Sequence, residues 1–334
     1  MKFDFIIGNP PYQEETEGTS DQQIYNFFMD ETYKISDKVE LITPAKFLSN
    51  AGKTSKEWNK KMLSDEHLKV LWHEINGKKV FPNAEIKGGV AITYRDATQN
   101  FGAINIYTNF DELNSTLKKV NEKNDKGSIM DAIYLQSKFN LDVLYRDYPE
   151  LKHVVSSDGR EKRIVSSALK KYPAFTNNKV NSDDVKFLGI IDNKRVWKYL
   201  PIKYIEKENS NLFYYKVFVP NSNGSGALGE VLSTPMIGHT QSFISIGCFE
   251  TQAEAEAVLK YVKTKFARTM LGVLKVTQAN PPYKWQYVPM QDFTQNSNID
   301  WGKTVAEIDK QLYEIYGLND DEINFIETHV KEMQ

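Results

Sequence analysis

The amino-acid sequence predicts an α/β fold for its first part and an α+β fold for its second. An apolar run at residues 2–7 ends abruptly in Asn9-Pro10-Pro11-Tyr12, and strand-like and helix-like patterns then alternate up to residue 94. Beyond residue 150, most apolar runs have the length and flanking turns of antiparallel strands. Strands that alternate with helices indicate a parallel, doubly wound sheet, which here begins partway through its usual order.

The first strand has the clearest pattern. Phe3, Phe5, Ile6 and Ile7 are apolar almost without interruption, as in a strand that is buried on both faces of a parallel sheet, and Gly8 ends it. Such sheets bind ligands beyond the carboxyl ends of their strands. We therefore expect the residues that follow Gly8 to line a functional crevice.

The other elements are predicted from capping residues and apolar periodicity. In the first part these are a helix capped by Ser20 and Gln23, a strand at residues 38–43, a helix capped by Thr54 and Glu57, and strands at residues 68–75 and 88–94. In the second part they are strands at residues 185–191, 195–200, 213–219 and 242–249, with a turn at Asp192-Asn193 between the first two. A long helix capped by Thr251 and Glu254 and a last helix begun by Asn319 and Glu322 follow. The expected domains are residues 1–110, a helical linker at 111–150, a second domain at 151–295 and a helical tail at 296–334.

Size and composition exclude several classes of protein. A chain of 334 residues is long enough for two domains, each with its own core. No apolar stretch approaches the roughly 18 residues of a membrane span, and no signal-peptide pattern begins the sequence. Because Cys248 is the only cysteine, the chain cannot form an internal disulfide. These features predict a cytoplasmic protein without membrane contact.

Charge is distributed unevenly along the chain. Residues 151–290 contain 20 Lys and Arg against 11 Asp and Glu, whereas residues 1–150 contain 19 against 23 and residues 291–334 contain 3 against 10. A basic block in the middle of the chain suits contact with phosphates. A lysine-rich surface that is merely solvated is the alternative. The acidic tail suits a structural or partner-facing role rather than DNA contact.

The turn Asn9-Pro10-Pro11-Tyr12 is stiff and rich in hydrogen-bond acceptors. Proline fixes its own φ, restricts the preceding residue and lacks an N–H. The Asn9 side-chain oxygen and the Pro10 carbonyl can accept the two N–H bonds of the 6-amino group of adenine, so that the nitrogen lone pair points at an electrophile. Stacking of the Tyr12 ring on the extruded base would contribute roughly 1–3 kcal/mol, which helps to offset the cost of unstacking it.

Residues 4–12, DFIIGNPPY, resemble the catalytic motif of adenine-N6 DNA methyltransferases from bacterial restriction-modification systems. The similarity continues at residues 24–26, 41–44, 80–82, 86–90, 266–268, 275–278 and 288–293. It implies a type II enzyme of the kind fused to an endonuclease, with S-adenosylmethionine as cofactor and a flipped-out adenine in double-stranded DNA as substrate. It also implies a Rossmann-like methyltransferase sheet followed by an α+β target-recognition domain.

The resemblance assigns roles to individual residues. Asn9, Pro10, Pro11 and Tyr12 would be catalytic, and Phe81 would lie beside the base, so that Tyr12 and Phe81 sandwich the adenine. The simpler alternative is that Phe81 only packs under a loop.

Basic residues follow the long helical pattern that begins at Thr251. They are Lys260, Lys263, Lys265, Arg268 and Lys275. Together with the charge distribution and the resemblance, they predict contact with the DNA backbone. A solvated helix face is the alternative.

Four other patterns are weaker. Asn280-Pro281-Pro282-Tyr283 repeats the motif but follows no buried strand, so it is predicted to be a turn. Gly224, Gly226 and Gly229 form G-x-G-x-x-G, which could hold a cofactor in a permuted enzyme, but no helix follows, so a flexible loop is predicted. Glu85-Ile86-Lys87 matches the E-x-K half of a metal-dependent nuclease site, with Asp65 as a conceivable partner. Nothing else in the sequence completes such a site, so no nuclease site is predicted. The five histidines have no ligand spacing, so no metal is expected.

The sequence contains no recognisable loop for the methyl donor ahead of the Asn-Pro-Pro-Tyr motif. In this family a glycine-rich loop for S-adenosylmethionine normally precedes the Asn-Pro-Pro-Tyr motif, and none lies ahead of Lys2. The sequence therefore predicts a sheet without its cofactor half, as in a truncated or split enzyme that needs another polypeptide for activity. A catalytically inactive DNA-binding, specificity or assembly module is the alternative.

Overall fold

The computed structural model describes residues 2–14, 22–50, 52–83, 86, 88–155, 162–208, 210–222, 231–275 and 278–333. The chain divides into two compact units, Met1–Lys118 and Lys119–Gln334. Within the described ranges, no helix is long and apolar enough to cross a membrane.

The first unit contains six strands and three helices among its described residues, before a helix at its end. They are β1 (Ile6–Gly8), β2 (Gln13–Glu14), β3 (Gln22–Gln23), α1 (Tyr25–Ile35), β4 (Lys38–Pro44), α2 (Lys56–Leu63), β5 (Leu68–Glu74), α3 (Gly77–Val80), β6 (Val90–Asp96) and α4 (Asp111–Lys123). The predicted strands at residues 38–43, 68–75 and 88–94 are thereby confirmed. Four strands form one sheet in the order β1-β4-β6-β5, and β2 pairs with β3 in a separate ribbon.

The prediction of a parallel sheet is correct for only one pair of strands. β1 runs parallel to β4, and the connection between them includes the crossover helix α1. β6 lies between β4 and β5 and runs antiparallel to both. A parallel pairing of β5 with β6 would need a crossover of a dozen or more residues, usually through a helix. Among its described residues, the connection between these strands contains one helix, the four-residue α3, which is too short to act as such a crossover.

The prediction that β1 is buried on both faces is wrong. β1 is an edge strand, and the side chains of Phe3, Phe5 and Ile7 are 47%, 45% and 72% exposed. The opposite face of the sheet carries Val39 and Leu41, which pack with α1, α2 and the partly buried Ile6. The described helices α1 and α2 therefore cover one face of the sheet and leave the Ile7 face open, so this part is not doubly wound.

Two predicted helix caps in this unit are also corrected. Ser55, not Thr54, caps α2 by accepting a hydrogen bond from the Trp58 N–H, while Thr54 is buried and bonds Asn59. Gln23 lies in β3 rather than in the first turn of α1, and Ser20 lies outside the described residues. Ile24 precedes α1, and among the described residues no side chain caps this helix.

The second unit combines two sheets with helices. Its elements are β7 (Ile133–Tyr134), α5 (Leu141–Asp147), α6 (Ala168–Lys171), β8 (Asp184–Ile191), β9 (Lys194–Pro201), β10 (Tyr215–Pro220), β11 (Val231–Ser233), β12 (Ile237–His239), β13 (Phe243–Phe249), α7 (Gln252–Lys263), α8 (Lys265–Gly272), α9 (Val305–Tyr316) and α10 (Asp320–His329). One sheet has the order β11-β10-β13-β7 and the other β12-β8-β9. All pairings are antiparallel except that of β12 with β8.

Several local predictions are confirmed in this unit. Asp192 and Asn193 both have positive φ and form the two-residue turn between β8 and β9, as primed hairpin turns require. Thr251 with Glu254, and Asn319 with Glu322, form capping boxes. A capping box of Thr304 with Glu307, which is not among the predicted caps, begins α9.

The predicted long helix is two helices. Thr264 has ψ of 147°, outside the helical range, and therefore ends α7. Its side-chain oxygen accepts a hydrogen bond from the Ala267 N–H and so caps α8. The apolar periodicity continues across this break, which explains why the pattern resembles one helix.

Candidate active site

The Asn-Pro-Pro-Tyr turn begins where β1 ends. Gly8 is in register with Leu41 of the parallel strand β4, so Asn9 leaves the sheet beside the carboxyl end of β4. The Tyr12 carbonyl accepts a hydrogen bond from the Ile24 N–H over 3.1 Å, which ties the turn to the start of α1. The turn thus lies at the sheet edge where open α/β sheets bind ligands.

A pocket of about 730 Å³ opens at this edge. Its described lining is Asn9, Pro10, Pro11, Tyr12, Gln13, Gln23, Tyr25, Pro44, Lys46, Gly52, Lys53, Phe81 and Ile86. The pocket brings together all four residues of the turn and Phe81, which is 69 positions away from Tyr12 in the sequence. Its volume is in the range of sites for small molecules and cofactors. Asn9 itself is exposed, so its side chain is accessible from the pocket.

Tyr12 contributes a neutral aromatic wall. Its ring packs partly buried against the core of the first unit. Burial raises the pKa of Tyr12 to about 12, so the phenol is neutral near pH 7. Its hydroxyl is buried without a hydrogen-bond partner among the described residues. The residue therefore offers a ring surface rather than a charge.

Phe81 is held by the short helix α3. Asn76 caps α3 through its side-chain oxygen, which accepts from the Lys78 N–H over 3.2 Å, and the Phe81 N–H donates to the Gly77 carbonyl over 2.8 Å. The centroids of the Phe81 and Tyr12 rings lie 6.3 Å apart, with their planes at 79°. Stacking a base on both rings needs nearly parallel planes about 7 Å apart. One ring must therefore turn before the predicted sandwich can form, and the sandwich stays a prediction.

Two cationic residues of the pocket were missed from the sequence. Lys46 and Lys53 line the pocket, but neither lies in a recognisable motif. Lys46 lies two positions after Pro44, the last residue of β4. The rule that ligands bind beyond the carboxyl ends of neighbouring parallel strands could have identified it.

The five basic residues predicted to contact DNA lie in the second unit, on and after α7 and α8. The Lys260 ammonium donates to the Trp301 and Lys303 carbonyls over 2.7 and 3.0 Å. The Lys265 ammonium pairs with the Glu327 carboxylate, which lies in α10.

The other three basic residues are also partly enclosed. The Arg268 guanidinium donates to the Lys331 carbonyl. Lys263 and Lys275 are half-buried, and burial together with the nearby cations lowers the pKa of Lys275. At least three of the five cations therefore hold the C-terminal segment in place. Contact between these residues and DNA stays a prediction.

The second Asn-Pro-Pro-Tyr sequence has a different environment from the first. Asn280 is 0% exposed, and neither atom of its side-chain amide has a hydrogen-bond partner among the described residues. A 3₁₀ helix, Pro282–Trp285, follows it, and the Lys284 ammonium donates to the Ala279 carbonyl over 2.8 Å. The amide of Asn280 is thus enclosed in the protein, whereas that of Asn9 faces a pocket.

The remaining sequence patterns do not form a site in the described residues. Asp65 is held by Arg95 in a salt bridge of 2.7 Å, and the rest of the nuclease-like pattern, Glu85 and Lys87, lies outside the described residues. Gly224, Gly226 and Gly229 also lie outside them. Within the described ranges, no group of three or more His, Cys, Asp or Glu side chains could hold a metal ion.

The region around the pocket is similar in sequence to known methylases. Residues 1–81 match the Eco57I restriction-modification methylase family. The match to this methylase family therefore spans the chain from its first strand to Phe81. An uncharacterized adenine-specific methylase from Mycoplasma pneumoniae is 33% identical over 95 residues, which are 27% of this chain and 22% of that relative. The resemblance to adenine-specific methylases of restriction-modification systems is confirmed.

Two solved structures align with most of the chain at low similarity. The type IIG restriction endonuclease BpuSI aligns with a TM-score of 0.31 at 8% identity, over 86% of this chain and 44% of BpuSI. The type IIL restriction-modification enzyme MmeI, in complex with DNA, aligns with a TM-score of 0.30 at 9% identity, over 97% of this chain and 56% of MmeI. The chain thus spans about half the length of these two enzymes.

Proposed function

We propose that the chain is the catalytic and target-recognition part of an adenine-N6 DNA methyltransferase of a restriction-modification system. The observation that carries the proposal is the pocket that joins Asn9, Pro10 and Tyr12 with Phe81, within the region that matches the methylase family. The substrate would be a flipped-out adenine in double-stranded DNA.

In this proposal the turn activates the amino group of adenine. The nitrogen lone pair of free adenine is delocalised into the ring, which makes the amino group a poor nucleophile. The Asn9 side-chain oxygen and the Pro10 carbonyl accept the two N–H bonds, which favours a pyramidal nitrogen with its lone pair directed out of the ring plane. Tyr12 and Phe81 provide aromatic surfaces that replace the stacking lost when the base leaves the helix.

The methyl donor, S-adenosylmethionine, is implied by the family. Among the described residues, no strand is followed by a glycine-rich turn that opens a helix, which is the usual cradle for such a cofactor. The residues of the first unit therefore do not fit a complete donor site. We assign them the binding and activation of the adenine, and assign the donor to another polypeptide.

The open face of the sheet offers a surface for that polypeptide. Phe3, Phe5 and Ile7 form an exposed apolar row on β1 and the residues before it. Among the described strands, β1 pairs with β4 on one side and with none on the other. A strand added parallel to β1 would satisfy this edge and cover the apolar row. We propose that the S-adenosylmethionine-binding half of the sheet docks there.

Replacing Ile7 with glutamate should abolish methylation in cells, because a charge would be buried at the docking surface. The unfolding temperature of the isolated chain should hardly change, since Ile7 is 72% exposed. Val180→Glu is a matched control, because Val180 is 71% exposed in the second unit. Equal loss of N6-methyladenine in both variants, or retention in Ile7→Glu, would contradict the docking surface.

Sequencing that detects modified bases tests the function itself. Deleting the gene should remove N6-methyladenine from one recurring sequence in the genome, and restoring the wild-type gene should return it. An unchanged methylation pattern after deletion would refute the proposed function.

A further inference from the structure

Lys46 occupies a defined position beside the pocket. β4 ends at Pro44, and the 3₁₀ helix Ala45–Ser49 follows immediately. The Ala45 N–H donates to the Gly89 carbonyl over 3.0 Å, which fixes the start of this helix against the turn before β6. Lys46, the second residue of the helix, forms part of the pocket wall together with Asn9.

Two glycines form a slot for the Lys46 side chain. A Cβ atom at Gly88 would lie 2.5 Å from Lys46 Cγ and 2.8 Å from its Cε, and one at Gly52 would lie 3.1 Å from Lys46 Cβ. Both glycines have positive φ, +90° and +95°, which other residues rarely adopt. The aliphatic stem is therefore enclosed along its length, and the direction of the ammonium group is restricted.

The ammonium group has no anionic partner in the part of the chain that the structure describes. The structure gives Lys46 Nζ no hydrogen bond or ion pair with a described residue. The described lining of the pocket contains two cationic residues, Lys46 and Lys53, and no carboxylate. A half-buried cation in such a lining favours an anionic ligand.

A nucleotide supplies an anion next to a flat base. Adenine itself is neutral, but each nucleotide of DNA carries a phosphodiester, and lysine binds phosphate as a point charge. We propose that Lys46 binds a phosphodiester of the nucleotide whose base enters the pocket. This proposal rests on the proposed function, and it adds a phosphate site to the adenine site.

Lys46→Met tests the proposal, because methionine keeps an unbranched stem in the slot and removes the charge. The probes are a fluorescein-labelled hexamer of deoxyadenylate and the same hexamer with an uncharged methylphosphonate backbone, with binding measured by fluorescence anisotropy on the full chain. Lys46→Met should weaken binding of the phosphodiester hexamer roughly five- to tenfold at low salt. It should leave binding of the methylphosphonate hexamer unchanged.

Salt dependence gives a second measure of the same contact. Loss of one phosphate contact should reduce the slope of log affinity against log salt by about 0.7 for a single strand. Lys60→Met is the matched control, because Lys60 is an exposed lysine of α2 outside the pocket lining, and its slope should match that of the wild type.

Three results would overturn the proposal. The first is equal affinity of the wild type for the two hexamers. The second is unchanged binding of the phosphodiester hexamer by Lys46→Met, and the third is a matching loss for both hexamers, which would indicate a role in packing. Because these readouts are of binding, each result leaves the separate test of Asn9 in methylation intact.

Discussion

Replacing Asn9 with alanine is expected to lower the rate of adenine methylation by about a thousandfold, the size of effect seen when one preorganised transition-state contact is removed. The Asn9 side-chain oxygen is the acceptor proposed for one of the two amino N–H bonds, and alanine has none. Asn9 is exposed and lines the pocket, so the change should affect neither folding nor DNA affinity. The rate is measured as tritium transfer from labelled S-adenosylmethionine to unmethylated DNA in extracts of cells that carry the variant.

The second Asn-Pro-Pro-Tyr sequence provides the matched control. Asn280→Ala makes the same substitution in the same local sequence, but at a side chain that is enclosed and lacks hydrogen-bond partners among the described residues. Its methylation rate should equal that of the wild type. Its free energy of unfolding should be unchanged or higher by about 1 kcal/mol, because a buried unsatisfied amide is removed. A lost rate in Asn280→Ala with a normal rate in Asn9→Ala would reverse the assignment of the two motifs.

Gly89→Ala is expected to destabilise the first unit by about 3 kcal/mol or more, through a steric clash in a special backbone conformation. Gly89 has φ of +80°, and a Cβ atom there would lie 2.2 Å from the Glu74 carbonyl oxygen and 2.8 Å from Ile75 Cα. These atoms belong to the backbone at the end of β5, so they cannot move aside as a flexible side chain would. Hydrogen exchange of the β5 and β6 amides measures the effect, since the two units need not unfold together.

Gly102→Ala is the matched control, because it measures the cost of the backbone conformation without a steric clash. Gly102 has φ of +78°, but no atom lies within 4 Å of a Cβ placed there. Alanine at this position should therefore cost only the roughly 1–2 kcal/mol of a left-handed conformation. Equal losses of protection in the two variants would show that the approach of Gly89 to β5 is not important for stability.

Local features of the fold could be predicted well from the sequence. The capping boxes at Thr251 and Asn319 and the turn at Asp192 depend on residues within four positions of each other. The direction of β6 could not be predicted in this way, because it depends on which strand lies beside it. The exposure of Ile7 depends on what covers a sheet face, and the apolar pattern of a strand does not contain that information.

The residues of the candidate site also differ in whether the sequence could predict them. Asn9, Pro10 and Tyr12 were identified because they are contiguous and stiff, and Phe81 because a family resemblance pointed to it. Lys46 was missed because its slot is formed by Gly52 and Gly88, residues that approach it only in the folded chain. A count of charges along the sequence suggests that the cations of α7 and α8 are available to bind DNA. In the fold, Lys260 and Lys265 bind a carbonyl and a carboxylate that lie more than 40 positions away in the sequence.

The uncovered apolar row on the first unit has a practical consequence for handling the protein. Phe3, Phe5 and Ile7 expose apolar side chains beside a strand edge that pairs with no other described strand, a combination that promotes aggregation. Purified by itself and concentrated well above the levels used in binding assays, the chain should sediment as mixed aggregates. If the proposed S-adenosylmethionine-binding half covers these side chains, its co-production with the chain should yield a single, monodisperse species.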